Sequence, residues 1–207
     1  MPLVKRVFYI PCKGDLCLKL AEIINEKAPA VEHAEIKISD NGLYITLYGY
    51  KTDVRNAWEY IKRIASLYLS AIRDTGGIKR IKLEYLVDRL RRTFPPRLLA
   101  AILNYMGYRC EYDHDKNELV TDAPLEIIED IAKKIAEIID SIKYDVRGTT
   151  TKYYVVAASI ILNTDLETVY RIGVEKKHLV LDEDGKYRIR IYWKQAIEEL
   201  IREHRGI

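Results

Sequence analysis

The 207-residue chain predicts an α+β fold: an N-terminal β-α-β-β-α unit of ferredoxin-like order, then two helix-helix-hairpin-helix units. Three observations carry that expectation. Apolar residues alternate with period two in 3–11, 34–38 and 43–47, and recur at helical spacing in 16–24 and 54–72. Runs rich in Asp, Asn and Gly separate short strand-like segments at 112–118 and 181–186. A Pro-Pro pair at 95–96 breaks what would otherwise be one helix.

Taken in order, LVKRVFYIP (3–11) predicts a strand. A helix follows from Asp15, with Leu16, Leu20, Ile23 and Ile24 on one face and an end near Pro29. Cys12 and Cys17 stand five apart, a spacing that suits neither a zinc knuckle nor a redox pair. With Cys110 they are expected to pack as small apolar groups, a local disulfide being the alternative. Ala34, Ile36 and Ile38 share one face of the next strand. Asn41-Gly42 predicts a two-residue type I′ turn into a third strand, with Leu43, Ile45 and Leu47 inward. Thr52 or Asp53 is expected to cap a long helix with Val54, Trp58, Ile61, Ala65, Tyr68 and Ile72 on its apolar stripe. GGIKRIKL (76–83) either adds a fourth strand to this unit or begins the next helix.

Beyond it the pattern predicts helices at 84–93, 97–107 and 125–143 around a hairpin through 112–118. Helices at 150–162, 165–172 and 193–204 surround a hairpin through 181–186, with Thr164 and Glu167 of TDLE spaced as a capping box. The expected modules are therefore 1–76, 77–145 and 146–207, the last in winged-helix-like order.

Function classes narrow by exclusion. Phosphate-binding Gly-rich loops and nucleophile elbows are absent from the sequence, and the four histidines stand apart. No cofactor, metal site or catalytic group is expected, and a binding protein is favoured over an enzyme. The start, Met-Pro-Leu-Val-Lys-Arg, lacks the long apolar region of a secretion signal. No run reaches the ~18 apolar residues of a membrane span. A soluble, cytoplasmic protein without a membrane partner is expected, and 16 Tyr against 2 Phe with only 2 Met suggests a thermophile.

Two surfaces point to a partner. Strand alternation puts Tyr44 and Tyr48 opposite the apolar face, joined by Lys5 and Tyr9 from the first strand and Lys37 from the second. Rings that stack bases beside ammonium groups that meet phosphates are what single-stranded RNA needs. The second surface is the basic stretch Lys79, Arg80, Lys82, Arg89, Arg91, Arg92 and Arg97. Lys/Arg outnumber Asp/Glu 12 to 5 over residues 51–97, and the ratio inverts to 5 against 11 over 98–145. Either the arginines hold phosphates, or the acidic residues from Glu126 to Asp140 neutralise them across the fold.

The first unit resembles an RNA recognition motif in topology, but Leu43 and Ile45 stand where that motif has its stacking aromatics, and a KH-type Gly-x-x-Gly loop is missing. The stretch FPPRLLAAILNYMGYRCEYDHDKNELVTDAP (94–124) resembles an uncharacterised archaeal protein family with a KH-like or ferredoxin-like N-terminal part. That resemblance implies an archaeal source and brings no site residues. The sequence thus leads to a non-catalytic nucleic-acid-binding protein, RNA being the expected partner. The alternative is a protein-interaction or self-assembly module, a homo-oligomer whose basic and acidic segments pair between subunits.

Overall fold

A computed structural model describes residues 2–26 and 31–204, with only the backbone course given for Asp74 and Thr75. It divides into two compact units, Met1–Arg73 and Asp74–Ile207.

In the first unit β1 (Leu3–Pro11), β2 (His33–Ser39) and β3 (Gly42–Tyr50) pair antiparallel in the order β1-β3-β2. Central β3 buries Leu43, Ile45 and Leu47. Helix α1 (Asp15–Glu26) covers that face with Leu20, Ile23 and Ile24, and α2 (Lys51–Ile72) with Val54, Ala57, Ile61 and Ala65. Each of these Val, Leu and Ile side chains contributes about 1.5–3 kcal/mol by leaving water. The helix end expected near Pro29 lies outside the described residues.

Four local expectations are corrected. Ser39 pairs with Gly42, so the turn residues are Asp40 and Asn41, neither of which has a positive φ. Gly42 is required for space instead: a Cβ there would come within 2.4 Å of the Tyr9 ring and 2.6 Å of the Ile10 carbonyl oxygen. Helix α2 starts straight out of β3 with Tyr50 at its N-cap, and no side chain caps it, so neither Thr52 nor Asp53 has that role. Cys12 and Cys17 form a disulfide, with Cα atoms 5.3 Å apart, that ties the end of β1 to the first turn of α1. Finally, Ile78–Lys82 is a strand, but it joins the other unit's sheet, so the first sheet has three strands among the described residues.

In the second unit β4 (Asp74–Thr75), β5 (Ile78–Lys82), β6 (Cys110–Asp113) and β7 (Glu118–Thr121) form an antiparallel sheet ordered β4-β5-β7-β6. Gly76 and Gly77 make the β4–β5 turn with φ of 65° and 82°, a conformation open to glycine at no steric cost. Helix α3 (Leu83–Leu90) ends before the Pro-Pro break, and α4 (Pro96–Tyr105) begins on its second proline, where a missing N–H costs nothing. Helix α5 (Leu125–Ser141) packs on both.

The hub is α6 (Thr149–Ile161). Its TTTKYYVVAASII sequence is apolar around most of its circumference, which suits a helix enclosed on several sides. It packs against α4, α5, α7 (Leu166–Glu175), β9 (Tyr187–Ile189) and α8 (Trp193–His204). Residues 77–145 and 146–207, expected as separate modules, share this core. β8 (Leu179–Leu181) pairs with β9, and Arg147 bridges Asp182 and Asp184 in their hairpin turn at 3.0 and 2.8 Å. The cap of α7 is Asp165 rather than Thr164: its carboxylate accepts from the Thr168 backbone N–H at 2.8 Å, which holds it below the usual carboxylate range.

Reduction of Cys12–Cys17, or Cys17→Ser, is expected to lower the stability of the first unit by about 2 kcal/mol, the loop-entropy value for so short a loop. Urea unfolding followed by Trp58 fluorescence in a Trp193→Phe background, with and without reductant, measures it.

Candidate nucleic-acid interface

The face of the first sheet opposite the helices is laid out by register. One row holds Lys5, Tyr48 and His33; the next Val7, Thr46 and Glu35; the third Tyr9, Tyr44 and Lys37; and Leu3 stands beside Tyr50. Tyr9, Tyr44, Tyr48 and Tyr50 are exposed to between 38% and 46%, and Lys5, His33 and Lys37 are exposed too, so the rings are open to a ligand. Tyr9 and Tyr44 stand side by side across the ladder, centroids 5.1 Å apart and tilted by 46°. Tyr9 is held by its hydroxyl, which donates to the Asn41 carbonyl at 2.6 Å. Lys37 leans on Glu35 at 3.3 Å in a well-exposed pair, which removes little of its charge from an incoming phosphate.

All five residues expected on this face are therefore on it. His33 and Tyr50 join them. The signal for both was strand alternation: His33 shares the face of Lys37, and Tyr50 follows Tyr48 by period two.

The basic stretch is dispersed. Lys79 lies on the same side of β5 as buried Ile81, while Arg80 and Lys82 point to the other side. There Lys82 stands opposite Glu118, with Asp113 beyond it. Arg89 faces Glu129 at 3.9 Å, and the same carboxylate accepts a short hydrogen bond from the Tyr85 hydroxyl. Arg92 donates to Asp140 at 3.1 Å. Arg89 and Arg92 are thus joined to α5 within the chain. Arg91 and Arg97 flank the Pro-Pro turn, exposed, and among the described residues neither has a carboxylate partner. Arg91 closes α3 in the left-handed region, φ 52°, where a non-glycine residue is uncommon.

One cluster resembles a catalytic relay in its geometry. The Tyr154 hydroxyl is 3.2 Å from His178 Nδ1, and His178 Nε2 is 2.9 Å from Glu199 Oε2. With Glu199 ionised, Nε2–H donates to it, and in the neutral ring Nδ1 accepts from Tyr154. Tyr154 is 0% and His178 2% exposed, so the line ties α6, the start of β8 and α8 together from within, and of the three only Glu199 meets solvent. Burial, with the Glu199 charge behind it, pushes the Tyr154 hydroxyl up from its ordinary value and keeps it a donor. Burial likewise pushes the free Cys110 thiol up to about 11, leaving it unreactive. Among the described residues no cluster of three or more His, Cys, Asp or Glu has metal-binding geometry, and no helix is long and apolar enough to cross a membrane.

Three outcomes test these placements. Arg91→Gly is expected to stabilise the second unit by about 0.5–1 kcal/mol, because glycine adopts the left-handed cap without strain; thermal unfolding measures it. Tyr154→Phe leaves His178 Nδ1 without its partner in a buried site and should cost about 1–3 kcal/mol. The hydrogen bond from His178, helped by Gln195, holds the Glu199 carboxyl below its ordinary range. A depressed carboxyl contributes stability above its unfolded value and loses it as pH falls. Acid unfolding of Glu199→Gln should accordingly be shallower than that of the native protein.

No curated protein and no solved structure matches the chain. One family's sequence model does, over residues 10–198, and its members are described as uncharacterized proteins conserved in archaea. That match spans both units, from the last turn of β1 to the middle of α8, and so the chain belongs to this archaeal family, DUF2067.

Proposed function

We propose that the protein is a non-catalytic binder of single-stranded RNA, and that the open face of the first sheet is where bases stack. One observation carries the reading: exposed Tyr9, Tyr44 and Tyr48 stand in register with Lys5, Lys37 and His33 on one side of a three-stranded sheet. Stacking of a base on an aromatic ring contributes about 1–3 kcal/mol and tolerates any base. Tyr44 and Tyr48 lie four residues apart on one strand, ~13 Å, which fits a footprint of about four nucleotides. Charge supports the choice of an anionic partner. Residues 1–73 carry 11 Lys/Arg against 8 Asp/Glu and residues 74–207 carry 23 of each, so the whole net charge of +3 resides in the first segment.

In this reading the arginines of the second unit have a smaller part. Arg91 and Arg97 add sequence-independent attraction for phosphates, while Arg89 and Arg92 are engaged by α5. Those same intramolecular pairs weigh against the self-assembly alternative, which needs the basic and acidic segments to be available between subunits.

The test is fluorescence anisotropy with short single-stranded RNA, duplex RNA and duplex DNA over a salt series. Single strands should bind best, with Tyr44→Ala and Tyr48→Ala each weakening binding by about 5- to 100-fold. Lys5→Ala and Lys37→Ala should each flatten the dependence of log affinity on log salt by about 0.7. Absence of binding at low salt by folded protein overturns the reading. Sedimentation showing a dimer that Tyr44→Ala dissolves would assign the face to self-assembly instead.

A further inference from the structure

A second surface of the first unit lies at its sheet edge. Among the described residues β1 pairs only with β3, and the strand after α2 belongs to the other sheet, so the outer edge of β1 has no strand beside it. Such an edge offers a row of backbone donors and acceptors to any extended chain. Next to it, between the end of β1 and the second half of α2, is a groove of about 500 Å³. Trp58, Ala65 and Leu69 give it an apolar floor, and Phe8, stacked on the Trp58 indole at 4.1 Å and nearly parallel, fixes that ring. Lys62 and Arg73 also line it.

The spacing of the two cations defines an occupant. Lys62 lies ten residues before the end of α2, ~15 Å along its axis, and Arg73 stands just past that end in extended conformation; an extended strand covers such a length in about five residues. Carboxylates two positions either side of an apolar residue share one face of a strand with it, a spacing that suits two cations set along the groove. A second copy of β1 suits the edge badly. Lys5 and Arg6 would be brought against like charge, and Pro11 has no N–H to donate. Lys5, Arg6 and Arg73 have no carboxylate partner among the described residues, and Lys62 shares only an exposed contact with Glu59 at 3.3 Å.

We propose that this edge and groove dock an extended acidic segment of another protein, of the form Asp/Glu-x-apolar-x-Asp/Glu. The segment adds to β1 as a fourth strand. Its apolar residue lies on Trp58, Ala65 and Leu69, and its carboxylates meet Lys62 and Arg73. Backbone hydrogen bonds supply affinity, and the alternating side chains supply specificity. The proposal is independent of RNA binding, which uses the sheet face rather than its edge.

Fluorescein-labelled nine-residue peptides centred on Glu-x-Leu-x-Glu, titrated into the full-length protein, test it. Micromolar binding is expected. A peptide of the same sequence with alternate backbone nitrogens methylated should bind at least tenfold more weakly, since it keeps the charges and loses the strand hydrogen bonds. The double variant Lys62→Glu, Arg73→Glu, checked for folding by circular dichroism, should lose the acidic peptide and gain the one carrying Lys for Glu. Tyr44→Ala should leave peptide binding unchanged. Failure of the acidic peptide to bind, or equal binding of acidic, basic and methylated peptides, overturns the proposal. So does displacement of the peptide by equimolar single-stranded RNA, which would give the groove to nucleic acid.

Discussion

Side chains alternate strictly across β3, and what the first unit can do follows from that constraint. Leu43, Ile45 and Leu47 must all face the helices for the core to close, and that fixes Tyr44, Thr46, Tyr48 and Tyr50 on the other side. A one-residue slip would exchange the two sets and bury three tyrosines while exposing three aliphatics. The apolar face therefore holds the tyrosine face in place. β1 and β2 obey the same register, which brings Lys5, His33 and Lys37 into the rows that the tyrosines begin.

This is also why the sheet face was legible in the sequence when its turn was not. Placing the turn on Asn41-Gly42 instead of Asp40-Asn41 shifts the expected pairing by two residues, and a shift of two keeps every side chain on its own face. Tyr44, Tyr48 and Lys37 survive the error. The caps were less forgiving, because a cap depends on where one backbone turn starts: Thr52 and Thr164 have the right chemistry but stand two residues and one residue from the N-caps, Tyr50 and Asp165. The disulfide was hidden for a different reason. A separation of five positions says nothing about the strand-to-helix corner that brings the cysteine Cα atoms to 5.3 Å. In the sequence Trp58 is one member of a helix stripe and nothing singles out Lys62 or Arg73, since a groove beside a strand edge exists only once the sheet order is known.

The charge segregation had two explanations in the sequence, and the second unit uses both. Helix α3 lies along α5, so Arg89 and Arg92 meet Glu129 and Asp140. On the β5–β7 ladder Lys82 stands opposite Glu118 in register, without forming an ion pair among the described residues, whereas the α3–α5 contacts are ion pairs. Such pairs add little stability where they are exposed, but they remove most of the local field that a phosphate would respond to. The Pro-Pro turn escapes this cancellation. It interrupts the helical hairpin at the point where α5 offers Arg91 and Arg97 no carboxylate. The basic stretch is thus a run of unlike environments rather than one grip.

The sheet edge shows how one choice of pairing shapes both candidate surfaces. Because Ile78–Lys82 joins β7, the first sheet stops at β1, and that strand carries Lys5, Arg6 and Pro11, residues that discourage unwanted pairing without covering the edge. A fourth strand from the same chain would have filled the groove over Trp58 and Leu69. Tyr9 belongs to both surfaces: its ring borders Tyr44 on the open face and lines the groove beneath the edge. The bond from its hydroxyl to Asn41 and the absence of a side chain at Gly42 together fix that ring.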